Sequence, residues 1–343
     1  MDESRGAGQL ERVRGGGSDA GHDAARHDAA RLHAPGGHAA DDSALISFQS
    51  VGHVYRSLFG RSIRALEDFS LTIRESEVFG LAGPNGAGKS TLISLLLGYL
   101  EPTEGSISIA GMKPRAFVER NGIGYLSELI AIPPRWTLDE ALQRYAMLAG
   151  VPPDRVGART AHVVELLGLE EQRGKRVKQL SKGNLQRLGL AQALLREDRV
   201  IILDEPTHGL DPVWTQRFRD VVDALRRPHR AIFIASHNLD ELQRLADRVA
   251  IIDRGRLQRI VEPRAAESAA VPYRITIVGD DHILLDVFPM AQPRGPGDFE
   301  IPVVELNRLN TGLAELLRRG VLVSNLHPAH SMLEQHFRQA VGE

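Results

Sequence analysis

Gly83-Pro84-Asn85-Gly86-Ala87-Gly88-Lys89-Ser90-Thr91 is the stretch from which the rest of this chain is read. Its spacing, G-x-x-x-x-G-K-S-T, is that of a loop that wraps nucleotide phosphates. Several backbone N–H groups must converge on one anionic centre, and side chains would block that approach. Gly83, Gly86 and Gly88 supply the necessary freedom. Lys89 is spaced to reach the β- and γ-phosphates, and the Ser90 hydroxyl to ligate Mg²⁺. The flanks agree: Val78-Phe79-Gly80-Leu81-Ala82 reads as a short buried strand, and Thr91-Leu92-Ile93-Ser94-Leu95-Leu96-Leu97 as an apolar helix. Strand, loop and helix in that order put the phosphates at a helix N-terminus. The expectation is a site for a nucleoside triphosphate.

Val200-Ile201-Ile202-Leu203-Asp204-Glu205-Pro206 is an apolar run ending in two carboxylates. An uninterrupted run suits a central parallel strand covered on both faces. At its end Asp204 is a candidate for the Mg²⁺ shell and Glu205 for polarising an attacking water. Upstream stands Leu180-Ser181-Lys182-Gly183-Asn184-Leu185-Gln186-Arg187; downstream come His208-Gly209-Leu210-Asp211-Pro212 and Ala235-Ser236-His237-Asn238.

In this order the segments resemble the ATP-binding subunit of an ABC transporter over roughly residues 46 to 260. Leu180-Ser181-Lys182-Gly183-Asn184 is similar to the L-S-G-G-Q signature. Gly209-Leu210-Asp211 is similar to the loop after the catalytic carboxylates, His237 to the switch histidine, and Tyr55 to the aromatic residue that stacks on adenine. There are departures from the family pattern. Lys182 and Asn184 replace Gly and Gln of the signature, His208 stands where a small residue is usual, and Ile123-Gly124-Tyr125-Leu126-Ser127-Glu128 presents Glu128 where the family has glutamine. A carboxylate oxygen can still ligate Mg²⁺, while adding negative charge near a triphosphate. A carboxylate here is a familiar variant among drug, sodium and polysaccharide exporters of this superfamily.

Net charge is −2 and the isoelectric point about 6.7, so no basic field recruits nucleic acid. Cysteine is absent, which removes disulfide and thiol chemistry. No run approaches the roughly 18–20 apolar residues of a membrane span, and no signal peptide is visible at the N-terminus.

Composition divides the chain into three parts. Residues 1–43, rich in Gly, Ala, Asp, Arg and His, read as a disordered extension. His22, His27, His33 and His38 among Asp19, Asp23 and Asp28 are the alternative, a weak transition-metal site. Residues 44–260 read as an α/β ATPase domain of the P-loop class, with a helical subdomain inserted at about 129–190. Leu138, Ala141, Leu142, Tyr145 and Leu148 form a helical stripe in it, and a second helix carries Val163, Val164, Leu166, Leu167 and Leu169. Residues 261–343 read as a small α+β domain, beginning with a linker over 263–272. Strands are expected at 273–278, 283–288, 299–304 and 321–326, helices at 310–319 and from Ser331, and Ser331 with Glu334 has capping-box spacing. Gly320-Val321 and Ser331-Met332-Leu333-Glu334 with Phe337 resemble the ending of export-type ATPases, which favours an exporter.

What the resemblance implies is a shared mechanism. Each ATP would lie between the phosphate loop of one subunit and the signature of another, in a homodimer or a heterodimer with a similar ATPase. Ser181 and Gly183 would then contact the γ-phosphate in trans, Ser90, Glu128 and Asp204 would serve Mg²⁺, and Glu205 and His237 would act in hydrolysis. A multi-span permease subunit would complete the transporter, with this chain peripheral on the cytoplasmic face of the inner membrane, near Pro133-Pro134-Arg135-Trp136. The rival is a soluble, non-transport ABC ATPase. Translation-associated members carry two ATPase halves, and repair members a long coiled coil between loop and signature; this chain has one phosphate loop and only a small helical region between Lys89 and Ser181.

Overall fold

Alternate residues of the central strands point into two different cores, and that alternation builds the molecule. In β3 (Val78–Ala82) every residue is buried. Val78 and Ala82 belong to one apolar cluster, Phe79 and Leu81 to the other. A strand covered on both faces must be apolar throughout, which is why no polar/apolar alternation marks it in the sequence.

The computed structural model describes residues 44–56, 62–263, 271–329 and 332–342. The expected 1–43 extension with its histidines, most of the 263–272 linker, and Ser331 of the proposed capping box lie outside the described residues.

Before β3 come β1 (Ala44–Arg56) and β2 (Ser62–Arg74), a bulged antiparallel pair; after it come α1 (Lys89–Leu96) and β4 (Glu104–Ile109), which closes a three-stranded sheet of order β2-β1-β4. Next are α2 (Pro114–Asn121), β5 (Gly124–Leu126), and the helical subdomain of α3 (Leu138–Leu148) and α4 (Pro153–Leu166). Then α5 (Lys182–Ala193), β6 (Val200–Asp204), α6 (Pro212–Leu225), β7 (Ala231–Ser236), α7 (Leu239–Leu245), β8 (Arg248–Asp253) and β9 (Arg256–Val261) complete the core. The second sheet has six strands in the order β5-β6-β7-β3-β8-β9, parallel except for β9. Among the described residues no helix is long and apolar enough to cross a membrane.

In α3, Thr137 and Glu140 form a capping box that fixes where the helix starts. Leu138, Ala141 and Leu142 are buried as the stripe predicts, and Tyr145 is half-buried. Leu148 instead is 78% exposed. Ten residues beyond Leu138, at 100° per residue, it has rotated to the border of the buried face, and Ala146 is buried in its stead.

The C-terminal segment contains β10 (Val271–Val278), α8 (Asp281–Val287), β11 (Gln292–Gly295), β12 (Asp298–Val304), α9 (Leu306–Arg318) and β13 (Leu322–Pro328). This βαββαβ succession pairs in the order β11-β12-β10-β13, all antiparallel, the ferredoxin-like arrangement. Its core is Ile275, Ile277, Leu284, Phe288, Phe299, Leu309 and Leu316. The strand expected at 283–288 is a correction: the segment is α8, whose N-cap Asp280 accepts a hydrogen bond from His282 N at 2.9 Å. Leu284 and Phe288, four apart, share its buried side, whereas the apolar run alone fits either period.

The last helix, α10 (Met332–Val341), returns to the core of the first two sheets rather than to the sheet that precedes it. Leu333 is fully buried there, in a helix that packs against α7, β8 and β9, its backbone N–H donating to Gln243 Oε1 at 3.0 Å. Arg259 of β9 meets His336 at 2.5 Å. Leu333→Ala should therefore lower global stability by about 2–5 kcal/mol, read as a shifted denaturant midpoint at unchanged slope. A midpoint within error of wild type would mean that α10 is only loosely attached.

Candidate active site

The phosphate loop spans the gap between the end of β3 and the start of α1. Gly88 caps α1 with φ +113°, a left-handed conformation, and a Cβ there would lie 2.9 Å from the Ala65 carbonyl. At Gly83 a Cβ would lie 2.5 Å from the Ile252 carbonyl, so close approach is the constraint rather than φ. Ala87 N–H donates to Pro84 O at 3.1 Å, tightening the turn. Lys89 Nζ donates to the carbonyls of Gly83 at 2.6 Å and Pro84 at 3.3 Å. The unpaired N–H groups of the first turn of α1 and its dipole face the loop's concavity, an anion site in its own right.

β6 delivers the carboxylates, with β7 lying between it and β3. Asp204 and Glu205 are 7% and 8% exposed. Burial, with Glu128 and Glu205 adding like charge, pushes Asp204 up to about 6. Lys89 faces the same three carboxylates, which oppose the lowering of its own pKa by burial. Glu205 has φ +49°, unusual for a residue with a Cβ, and marks strain at the strand's end. Its Oε1 accepts from His237 N–H at 3.0 Å and its Oε2 from the Ser236 hydroxyl at 3.3 Å, while His237 Nδ1 lies 2.8 Å from Oε2.

Tyr55 of β1 packs edge-on to the His53 ring, centroids 4.7 Å apart, and its hydroxyl lies 3.3 Å from Thr91 Oγ1. With Asn85, Gly86, Gly88, Lys89, Ser90, Thr91, Glu128, Asp204, Glu205 and His237, it lines one open cleft of about 680 Å³. Gly83, Pro84 and Ala87 serve the cleft through backbone and packing instead. Ser181 and Gly183 do not line it. They sit at the N-terminus of α5, where the Ser181 side chain caps the helix by accepting from Asn184 N–H at 3.2 Å.

Sequence reasoning missed several groups. Arg64 of β2 lines the cleft, and no motif spacing announces it. His208, noted only as a departure, lines the cleft and lies 2.9 Å from Lys182 Nζ. Gln186, 6% exposed, donates to the carbonyls of Glu205 at 3.1 Å and Pro206 at 3.0 Å, tying the signature helix to the end of β6. A buried amide inside an otherwise apolar helix face was the available signal.

A family model described as ABC transporter matches residues 66–208. The Nostoc ABC transporter ATP-binding protein all4389 is 38% identical over 208 residues, which are 60% of this chain and 62% of that one, so the match spans under two thirds of that relative. YxlF of Bacillus subtilis, another ABC transporter ATP-binding protein, is 30% identical over 307 residues, 87% of this chain and 99% of YxlF. The methionine import ATP-binding protein MetN of Geobacillus kaustophilus is 35% identical over 220 residues, 62% of this chain and 64% of MetN. The dimeric structure of MJ0796, a bacterial ABC transporter cassette, shares the fold at a TM-score of 0.59 and 23% identity, covering 64% of this chain and 99% of that one. Since YxlF is matched over almost its full length and the family model covers the phosphate loop and the two carboxylates at the end of β6, the chain belongs to the ABC transporter ATP-binding proteins.

Proposed function

We propose that the chain powers export through a separate multi-span membrane permease, hydrolysing ATP in composite sites formed between two ATPase subunits. The observation that carries this reading is the division of the motifs. Loop, carboxylates, Tyr55 and His237 converge on one cleft, while Ser181 and Gly183 stand outside it at a helix N-terminus that a second subunit's nucleotide can meet. Glu205 positions and deprotonates the attacking water, His237 holds the γ-phosphate in line, Lys89 stands against developing charge, and Tyr55 stacks on the base.

The donor set fits Mg²⁺. Ser90, Asp204 and Glu128 line the same cleft; Asp204 is raised by burial first and by the charges of Glu128 and Glu205 second, and a hard dication would offset those like charges. Among the described residues no group of three or more acidic or histidine side chains is arranged to hold a metal ion by itself. Bound Mg²⁺ would neutralise phosphate charge.

Export is supported by Glu128 at the glutamine position and by the Gly320-Val321 and Leu333-Glu334 ending. MetN, matched at comparable identity, is an importer, so direction rests on those residues alone. The chain would dock on the cytoplasmic face of the membrane.

Mixing Lys89→Ala with Ser181→Arg tests the composite site. Either variant alone damages both sites of its dimer, whereas in a mixed dimer both lesions fall in one site and the other is intact. Hydrolysis should recover to about half the wild-type rate per mixed dimer when one site fires alone. A chain that sedimentation shows to stay monomeric with ATP and Mg²⁺, yet hydrolyses at the full rate of the complex, would overturn the composite-site reading.

A further inference from the structure

Glu241 lies one helical turn into α7, is only 3% exposed, and belongs to no motif read from the sequence. Its Oε2 accepts from the Thr207 hydroxyl at 2.5 Å, and its backbone N–H donates to Asn238 Oδ1 at 3.2 Å. Those two contacts close a circuit. Thr207 is two residues beyond Glu205; Asn238 N–H donates to Ser236 Oγ at 3.1 Å; and Ser236 Oγ and His237 N–H both donate to the Glu205 carboxylate. From Glu205 the path therefore runs along the chain to Thr207, across to Glu241, down to Asn238, and back through Ser236 and His237 to Glu205.

We propose that Glu241 is a positioning residue for ATP hydrolysis: by strapping the Thr207 turn to the first turn of α7, it fixes the separation of Glu205 from His237. The inference rests on the catalytic reading of those two residues. Packing does not account for Glu241. A buried carboxyl is destabilising where an apolar side chain of similar size would not be, and its second oxygen, Oε1, has no hydrogen-bond partner among the described residues. The groups facing it are Glu205, His237 and Arg219 of α6, whose own Nε is likewise buried without a partner.

Burial, opposed by the Thr207 hydrogen bond and reinforced by the Glu205 charge, pushes Glu241 up to about 7. Near neutrality a large fraction of it carries a proton, so it bridges Thr207 without placing a second full negative charge beside Glu205. Glutamine reproduces that protonated form in shape and in hydrogen-bonding capacity.

The test uses the full-length chain and its dimer, with kcat and KM for ATP measured well below the melting temperature of each variant. Glu241→Ala and Thr207→Val should each lower kcat about 10-fold or more, with KM within about 3-fold of wild type, because only the geometry of the hydrolytic pair is disturbed. The double variant should be no slower than Glu241→Ala alone, since both changes cut the same strap. Glu241→Gln should keep at least about half of the wild-type kcat. Folded Glu241→Ala and Thr207→Val with kcat within about 2-fold of wild type overturn the proposal, as does Glu241→Gln being as slow as Glu241→Ala. Glu205→Gln, assayed in parallel, separates the two failures: if it too hydrolyses ATP normally, the catalytic reading falls; if it is inactive while Glu241→Ala is active, only the strap falls.

Discussion

Glu205→Gln should bind ATP with nearly unchanged affinity and lose about 100-fold or more in hydrolysis. The substitution keeps the shape of the side chain and removes the basic oxygen pair. In the structure Glu205 is held by two donors, His237 N–H and Ser236 Oγ, with His237 Nδ1 2.8 Å from Oε2, and these contacts orient the carboxylate into the cleft without filling it. A glutamine can keep the bond from His237 N–H through its own oxygen, so the positive-φ turn at this position and the end of β6 should survive. Loss of the negative charge also removes one of the like charges that raise Asp204, which favours nucleotide retention. The variant should therefore accumulate as an ATP-bound dimer, visible by sedimentation. Hydrolysis near the wild-type rate in the assembled complex would show that the base lies elsewhere.

Lys89→Ala acts on binding instead. The ammonium group stands against Asp204, Glu205 and Glu128, and in the structure it donates to the Gly83 and Pro84 carbonyls that form the loop's rim. Its removal deletes a charge-assisted partner of the β- and γ-phosphates and leaves three carboxylates facing the triphosphate. A lost hydrogen bond to a charged group is worth about 1.5–3 kcal/mol, so ATP affinity should fall roughly 10- to 100-fold. Titration of a fluorescent ATP analogue measures it directly. An unchanged dissociation constant would take Lys89 out of the phosphate site.

The two predictions draw on the part of the molecule that was legible from its residues. The phosphate loop could be read because a backbone that must approach an anion tolerates few residue types, and Gly83 and Gly88 meet that demand at places where a Cβ would strike a carbonyl. The run ending in Asp204 could be read because a strand covered on both faces has no polar positions to spare. Arg64, Gln186 and Glu241 were not legible, since each acts through a partner far along the chain: Gln186 reaches Glu205 and Pro206 from another helix, and Glu241 reaches Thr207. The segment now α8 misled because its apolar run fits both periods, and the Asp280 cap that decides between them is a single side chain. The seat of α10 was invisible for a related reason. Its amphipathic pattern marks a face to be buried but does not say against what.

That seat bears on how the protein is made. Leu333 fills a place in a core whose other buried side chains end at Val261, so the nucleotide-binding part of the chain leaves the ribosome with one of its apolar sites open. The gap closes only once residues 332–341 have been made and α10 folds back over α7 and β9. Until then the nascent chain presents sticky surface, the condition that invites chaperone binding or aggregation. The core built by residues 44–261 is thereby finished by a helix far along the chain, and a variant with Leu333 and Phe337 made polar would keep that apolar site exposed.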